Sequence, residues 1–373
     1  MWIWRRQYVR RGFVLFIGLL LVGFGLFLWR PSLQVGSQSA TSAPAPTFAP
    51  DVNPLTGLRV DDPTVLQRRP LAVKISNGPA IVRPQAGIAD ADLVFEHITE
   101  GRITRFTAVY WTHTPPRVGS IRSARLIDLE IAVMYKALFA FAGASEGVRN
   151  KVFASSFGER AFEGVSVGAP TFYRDDSIEP PHNLFADPSA LWALADKRGV
   201  DQPEPVAGMQ FSDTIPSSLD PLTQSANIIS IDYGPTTAEW RYDSGTGRYM
   251  RWTDDGTDTL VPHVDANTSQ QVSAANVVIL RAWHQEDVTI VESEWQGVKS
   301  YSVEIQLWTL GPALVCRDGR CIRGQWNRWD KADMLTFWTE ADHQPIYLKP
   351  GNTWFQVVNL PDAPKMQQTI NIR

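Results

Sequence analysis

An uncharged apolar run of 18 residues near the N-terminus, residues 12–29 (GFVLFIGLLLVGFGLFLW), constrains this chain more than any other feature. At the rise of an α-helix it measures about 27 Å, close to the roughly 30 Å hydrocarbon core of a bilayer. Four arginines precede the run and one follows it, so the positive-inside rule places residues 1–11 in the cytoplasm as a basic stub. The run therefore predicts a single-pass transmembrane helix, with the bulk of the chain outside the cell membrane. A cleaved signal peptide is the alternative, although the apolar core of such a peptide typically spans only about 7–15 residues.

Composition divides the rest of the chain into a linker and two domains. Residues 30–52 are rich in Ser, Ala, Thr and Pro, which is typical of a flexible linker. Residues 53–200 and 223–373 have globular composition, and a proline-containing connector at 201–222 joins them. The sequence therefore predicts a two-domain extracytoplasmic body on a flexible tether.

The charge of the chain is unevenly distributed. Residues 1–50 contain five arginines and no acidic residue, which leaves 30 basic against 39 acidic residues in the remaining 323, a net charge of -9. Such a body repels phosphate backbones, so we expect no nucleic-acid partner. The expected partners are the lipid bilayer, through residues 12–29, and an anionic cell-wall component or an envelope protein.

Hydrophobic periodicity differs between the two predicted domains. In residues 53–200 short apolar runs alternate with helical patterns, which predicts a mixed α/β domain. Residues 223–373 contain short β-branched and aromatic runs separated by turn signals, typical of a mainly antiparallel β sandwich or barrel. The predicted fold class is therefore α+β with two domains. The predicted elements of the first domain are strands at 71–76, 93–99, 103–111 and 137–145 and helices at 124–138 and 188–198.

Tryptophan is concentrated in the β-rich half, where nine of the fourteen lie between Trp240 and Trp354. One interpretation is a platform on which sugar rings stack, and the other is ordinary packing in and around a β core. The sequence alone leaves both open.

The only two cysteines, Cys316 and Cys321, flank an Asp-Gly hairpin turn. This turn places them opposite each other at a position where cross-strand side chains approach closely. Outside the membrane such a pair oxidises, so we predict a structural disulfide. The alternative, a metal site, lacks further ligands at useful spacing.

The segment 118–130 (VGSIRSARLIDLE) combines two arginines with the start of an apolar helix. Ser123 is a suitable N-cap. Arg122 and Arg125 would then stand at the dipole-positive helix terminus, an arrangement that suits a carboxylate or phosphate. The alternative is internal pairing of these arginines with nearby acidic residues, for which the candidates are Asp128, Glu96 and Glu100.

The pentapeptide GASEG at 143–147 matches the G-x-S-x-G nucleophile motif and follows an apolar strand. With Ser145 as nucleophile and His182 as base, it would indicate a serine hydrolase. A glycan hydrolase using Glu96 and Glu146 is a second enzymatic alternative. The motif is short enough to arise by chance, and a glycine-rich turn after a strand also explains it. No catalytic residue is therefore predicted, and an enzyme is the less favoured interpretation.

A polar loop at 173–185 (YRDDSIEPPHNLF) is stiffened by two adjacent prolines and carries Arg174, His182 and Asn183. Polar loops on a rigid scaffold often hold ligand contacts, although a histidine beside an asparagine also suits a structural hydrogen-bonding pair. The six histidines lack zinc-site spacing, and the sequence has no P-loop or dinucleotide glycine motif. We therefore expect no metal and no cofactor.

Several motifs resemble one bacterial family in content and order. In the first half they are NPLTGL, RRPLAVKISN, RPQAGIADADLVFEHITEGRITRF, VGSIRSAR and PHNLF; in the second they are YDSGTGRYMRW, PHVDANTSQQVSAANVVI and GNTWFQVV. Over residues 53–361 the chain resembles the YerB-like lipoproteins. The resemblance implies an extracytoplasmic, membrane-tethered protein with two domains of unknown function and no established activity or ligand. Members usually carry a lipid-modified cysteine near the N-terminus, whose place the predicted transmembrane helix takes here.

The function expected from the sequence is that of a non-enzymatic binding or scaffold protein of the bacterial cell envelope, with an arginine-lined anion-binding pocket in the α/β domain. Most of the candidate residues fall in the family motifs, which suits a shared site and equally a shared salt-bridge network. A scaffold whose arginines are all paired internally therefore stays open. The candidate ligand-binding residues are Arg105, Arg122, Ser123, Arg125, Arg174, His182 and Asn183.

Overall fold

The computed structural model describes residues 47–257 and 259–373. Within these ranges the chain is mostly β-sheet with few helices, which confirms the α+β class at that level. The predicted cytoplasmic stub, the predicted transmembrane helix and the linker up to residue 46 lie outside the described residues. Of the helices that the structure describes, none has both the length and the hydropathy needed to cross a bilayer.

The first half of the chain alternates strands with short helices, as its periodicity predicts. The predicted strand at 71–76 is confirmed, and those at 93–99 and 103–111 and the helix at 188–198 are confirmed to within a residue at each end. Its strands are β1 (Leu71–Ser76), β2 (Leu93–Ile98), β3 (Thr104–Tyr110), β4 (Val118–Gly119), β5 (Leu138–Phe141), β6 (Ala161–Glu163), β7 (Phe172–Arg174) and β8 (Leu184–Ala186). Its helices are α1 (Leu126–Met134), α2 (Glu146–Ala154), α3 (Gly164–Val167) and α4 (Pro188–Lys197).

In the described part of the second half, the regular elements are strands and one short 3-10 helix at Ser217–Leu222. That 3-10 helix ends the predicted connector, which packs Val206, Met209 and Leu219 into the core. The strands are β9 (Thr223–Ser225), β10 (Ile228–Asp232), β11 (Thr237–Asp243), β12 (Arg248–Asp254), β13 (Leu260–Pro262), β14 (Ser273–Ala274), β15 (Asn276–Arg281), β16 (His284–Trp295), β17 (Val298–Ile305), β18 (Thr309–Arg317), β19 (Arg320–Arg328), β20 (Thr336–Trp338), β21 (Thr353–Val358) and β22 (Thr369–Ile372).

One sheet contains strands from both halves, in the order β20-β19-β18-β15-β21-β2-β3-β1-β5-β6, with β9 paired to β19. The halves meet where β2 and β21 pair in parallel, from Leu93 beside Thr353 to Glu96 beside Gln356. The rings of Phe95 and Phe355 stack across this junction, with centroids 4.4 Å apart. We refer to this as the shared sheet.

Both faces of the shared sheet are covered at its central strands, which explains why these strands are continuous apolar runs. Every residue of β1, β2 and β21 is buried. Helices α1 and α2 and the β16–β17 hairpin pack on one face. A second sheet, β13-β12-β11-β10-β22, packs on the other face together with α4.

The predicted disulfide is confirmed. Cys316 and Cys321 pair across β18 and β19 and are joined by a disulfide, with neither side chain exposed. Asp318 and Gly319 form the turn between them, both with positive φ, as a tight two-residue hairpin requires.

Candidate anion-binding site

The arginine segment crosses the carboxyl ends of two parallel strands, β1 and β5. The backbone N–H of Arg122 donates to the carbonyl of Lys74, two residues before the end of β1, at 2.9 Å. The Arg122 carbonyl accepts from the N–H of Ala142, just after β5, also at 2.9 Å. This edge is where α/β sheets commonly bind ligands.

Helix α1 begins later than predicted. The prediction that Ser123 caps it is wrong, because Ala124 N–H donates to the Gly143 carbonyl at 2.9 Å and keeps this stretch extended. The cap residue is Arg125, whose backbone N–H donates to the Asp128 carboxylate at 2.6 Å. Ser123 contributes its carbonyl instead, which accepts from the Arg105 guanidinium at 2.7 Å.

Arg125 is buried and paired with acids of the same chain. Its Nε donates to Glu100 Oε2 at 2.6 Å, and its Nη2 donates to the other Glu100 oxygen. Glu292, from the β16–β17 hairpin, lies 3.4 Å from Arg125 Nη1. Burial alone would raise the pKa of Glu100, but the hydrogen bonds and charge of Arg125 and the charge of Arg105 hold it below its usual value. For Arg125, internal pairing is therefore what the structure contains.

Asp128, a candidate partner of the arginines, instead neutralises Lys74 in the core. Its Oδ1 accepts from Lys74 Nζ at 2.9 Å and from the Thr107 hydroxyl at 2.6 Å. Lys74 Nζ also lies 2.6 Å from His97 Nε2. Burial lowers the pKa of Lys74 to about 8, against the opposing charge of Asp128. This closed cluster removes Asp128 from the charge balance of the arginines.

Arg122 differs from its neighbours because its guanidinium contacts neutral groups. Nε donates to the Ser76 hydroxyl at 3.2 Å, Nη1 to the Pro181 carbonyl at 3.4 Å, and Nη2 contacts His182 Nδ1. In the described ranges no carboxylate oxygen lies within 4.0 Å of it. Burial, and then the charge of Arg125, lowers the pKa of Arg122.

The local charge balance is positive. Arg105 and Arg125 pair with the carboxylates of Glu100 and Glu292, whereas Arg122 has no carboxylate within 4.0 Å in the described ranges. Three guanidinium groups therefore face two carboxylates, which leaves one uncompensated positive charge. It falls on Arg122, which is half-buried at the sheet edge. An oxyanion would complete this set of charges.

The loop at 173–185 supplies one contact to Arg122. A guanidinium only donates, so in this contact His182 Nδ1 accepts from Arg122, as the neutral tautomer with its proton on Nε2 allows. Arg174 instead donates to the side-chain oxygen of Asn183 at 2.6 Å, and Asn183 is buried. The structure therefore brings together Arg105, Arg122, Ser123, Arg125 and His182, whereas Arg174 and Asn183 bond to each other.

Neither hydrolase arrangement is assembled among the residues that the structure describes. Ser145 Oγ is buried and has no hydrogen-bond partner in the part of the chain that the structure describes, so it is not bonded to His182, whose Nδ1 contacts Arg122. Glu96 is fully buried and accepts from Arg251 at 2.8 Å, whereas Glu146 is exposed at the start of α2. These glutamates do not flank a common cleft.

Two surface grooves lie away from Arg122. One, of about 480 Å³, is lined by β9, Tyr242 and residues 318–320. The other, of about 320 Å³, is lined by Phe48, Phe211 and their neighbours. In residues 47–257 and 259–373, no three His, Cys, Asp or Glu side chains are placed to hold a metal ion.

Sequence reasoning missed three participants in this region. Lys74 had a visible signal, since a charged residue in the apolar run LAVKIS calls for a buried partner. Ser76 and Glu292 had none. Ser76 is an ordinary strand end, and Glu292 reaches Arg125 only through the packing of a distant hairpin.

Comparisons with known proteins identify the family. Residues 55–201 match the N-terminal domain of a protein of unknown function, DUF3048, and residues 229–355 match its C-terminal domain. The chain is 28% identical over 314 residues to the "Putative lipoprotein YerB" of Bacillus subtilis (strain 168), covering 83% of this chain and 87% of that protein. It is also similar to the crystal structure of the YerB protein from Bacillus subtilis, with a TM-score of 0.69 and 25% identity over 86% of this chain and 99% of that one. This chain belongs to the YerB-like family, with both the N-terminal and the C-terminal DUF3048 domains.

Proposed function

We propose that this chain is an extracytoplasmic binding or scaffold protein of the bacterial envelope, held in the membrane by one helix at residues 12–29. The name of its lipoprotein relative supports membrane association. The arginines before residue 12 support a cytoplasmic N-terminus. The mass of the mature membrane protein tests the anchor, because a chain that begins after residue 30 would mean that a signal peptide had been cleaved.

The proposed ligand is an anionic group, a phosphate or carboxylate of an envelope component, bound by Arg122. The observation that carries this proposal is the Arg122 guanidinium, which has no carboxylate partner among the described residues. Its current acceptors are a hydroxyl, a carbonyl and an imidazole, each of which an oxyanion would outcompete for a charge-assisted hydrogen bond. The neighbouring Arg105 and Arg125 are already paired with Glu100 and Glu292, so these two carboxylates are not free to neutralise Arg122.

Replacing Arg122 with glutamine is expected to weaken binding of a glycerol phosphate oligomer by about 10- to 100-fold, because a charged hydrogen bond contributes about 1.5–3 kcal/mol. The measurement is calorimetric titration of the full-length chain in detergent micelles. Arg59→Gln is the matched control, since it removes one positive charge from an exposed arginine that pairs with Asp51. Equal affinity of the Arg122 variant and the parent, with both folded, would refute the proposal.

Binding is also expected to strengthen as the pH falls from about 7.5 to about 5.5. In the free protein, burial and then the charge of Arg122 lower the pKa of His182 below its ordinary value. A bound phosphodiester neutralises Arg122, so the pKa of His182 rises on binding. The complex then takes up a proton that the free protein does not hold, and acid favours the complex.

The same titration at the two pH values checks this. His182→Gln should bind with nearly the same affinity at both, because phosphodiesters do not titrate in this range. A parent affinity that falls with acid would place His182 away from the ligand.

A further inference from the structure

The outer face of strands β18, β19 and β20 carries apolar and amide side chains. Leu310 lies opposite Asn327, and Gln325 lies opposite Trp338. Side chains alternate between faces along a strand, so these residues point away from the core that holds Trp326. Two further indoles, Trp308 and Trp329, directly flank the last pair of β18 and β19, Thr309 and Arg328. We call this set the tryptophan strip: Trp308, Leu310, Gln325, Asn327, Trp329 and Trp338.

The apolar members of the strip are exposed to a degree that core packing does not require. Trp308 is 36% exposed, Leu310 is 46% exposed and Trp329 is 53% exposed. By contrast, Trp240 and Trp354 of the same half are fully buried. The buried indoles therefore suit the interpretation as core packing. The exposed indoles of the strip suit the interpretation as a platform for sugar rings.

A polar group within the strip lacks a partner. Asn327 is only 9% exposed although it lies on the outer face, and its Oδ1 is buried with no hydrogen-bond partner among residues 47–257 and 259–373. Leaving such an acceptor unpaired costs free energy. Nearby, the Trp338 indole N–H donates to the Thr336 hydroxyl at 2.8 Å, which fixes the orientation of that ring. An unpaired amide oxygen on a face that also carries indoles indicates a ligand that offers both hydroxyl groups and apolar surface.

We propose that the tryptophan strip binds an uncharged oligosaccharide, independently of Arg122. Sugar rings present flat C–H faces that pack on indoles, and hydroxyl and acetamido groups that pair with Asn327 and Gln325. Aromatic surface with a few placed polar groups is the usual composition of a small-molecule site. None of the six side chains ionises, which favours a neutral glycan over a charged one. A lipid surface suits the strip less, because it would bury the unpaired Asn327 amide in hydrocarbon.

The test is calorimetric titration of the full-length chain with the β-1,4-linked tetramer of N-acetylglucosamine. Trp308→Ala and Trp329→Ala should each weaken binding by about tenfold, the loss expected when one packing indole is removed. Both side chains are exposed, so the melting temperature should stay near that of the parent. Trp295→Ala is the matched control, because this hairpin indole is 76% exposed and lies outside the strip; its affinity should stay within about twofold of the parent.

A glucose tetramer with the same linkage distinguishes the contribution of the acetamido groups from that of the hydroxyl groups, because it lacks the acetamido groups. Weaker binding of the glucose tetramer would assign the Asn327 amide to the acetamido group, and equal binding would assign it to hydroxyl groups. The proposal is overturned if neither tetramer binds in the millimolar range or if the strip variants bind like the parent. It is also overturned if Trp295→Ala loses as much affinity as the strip variants. Strip variants that instead lose binding to neutral phosphatidylcholine vesicles would also overturn it, in favour of a lipid contact.

Discussion

Replacing Arg251 with methionine is expected to lower the free energy of unfolding by about 3–5 kcal/mol, the range for breaking a buried ion pair on one side. Arg251 Nη2 donates to Glu96 at 2.8 Å, and neither side chain is exposed. Methionine fills much of the space that the arginine side chain occupies among the surrounding aromatic rings. It nevertheless leaves the Glu96 carboxylate buried without its counter-charge. Arg251 lies in the second sheet and Glu96 in β2, so this pair fixes the second sheet on the shared sheet. Chemical denaturation of the full-length chain measures the loss.

A neighbouring arginine gives the control. Arg241, on the adjacent strand β11, is partly exposed and pairs with Glu239 at 2.7 Å; Arg241→Met should cost at most about 1 kcal/mol. Adding Glu96→Gln to Arg251→Met should recover part of the stability, because it removes the stranded charge. A loss below about 1 kcal/mol for Arg251→Met alone would mean that the charge pair contributes little to holding the layers together.

Expressing the two halves separately, as residues 1–200 and 223–373, is expected to give chains that do not fold cooperatively. Separation turns β2 and β21 into open edges in which every residue was buried. Such long apolar edges aggregate. Each half also loses its part of the cores on both faces. Circular dichroism during heating and size-exclusion chromatography measure the outcome for each half.

Cleavage of the already folded chain is the control. Residues 202–205 form an exposed stretch after α4, so a protease site placed there should yield two pieces that stay associated and melt together. A cooperative melting transition of either half alone would show that the shared sheet is not needed for folding.

Local structure was predictable because the burial of a strand or helix determines which of its positions are apolar, and this pattern is visible in the sequence. Strands covered on both faces become short continuous apolar runs, and β1 and β2 were recognised for that reason. Partners far apart in the chain leave no such pattern. Nothing in LVFEHI indicates that it pairs with TWFQVV, 260 residues later, because any two apolar strands satisfy the same rule.

In the candidate site, too, the local features were predictable from the sequence and the long-range contacts were not. The closeness of Arg122 and Arg125 is local and was predicted, but which arginine retains an uncompensated charge depends on Glu100 and Glu292, and the second comes from a distant hairpin. The Ser123 cap failed because a long-range bond from Ala124 to Gly143 overrode the local preference.

The shared sheet also sets a distance. In the described order, β18, β15, β21, β2 and β3 lie between β19 and β1. At about 4.8 Å per strand, β19 in the tryptophan strip and β1 beside Arg122 are therefore about 29 Å apart across the sheet. Because hydrogen-bonded strands fill this interval, it acts as a rigid spacer. A metabolite-sized molecule cannot reach both positions at once, whereas a stretched wall polymer can. Simultaneous binding at the strip and at Arg122 would therefore select polymers long enough to span this distance.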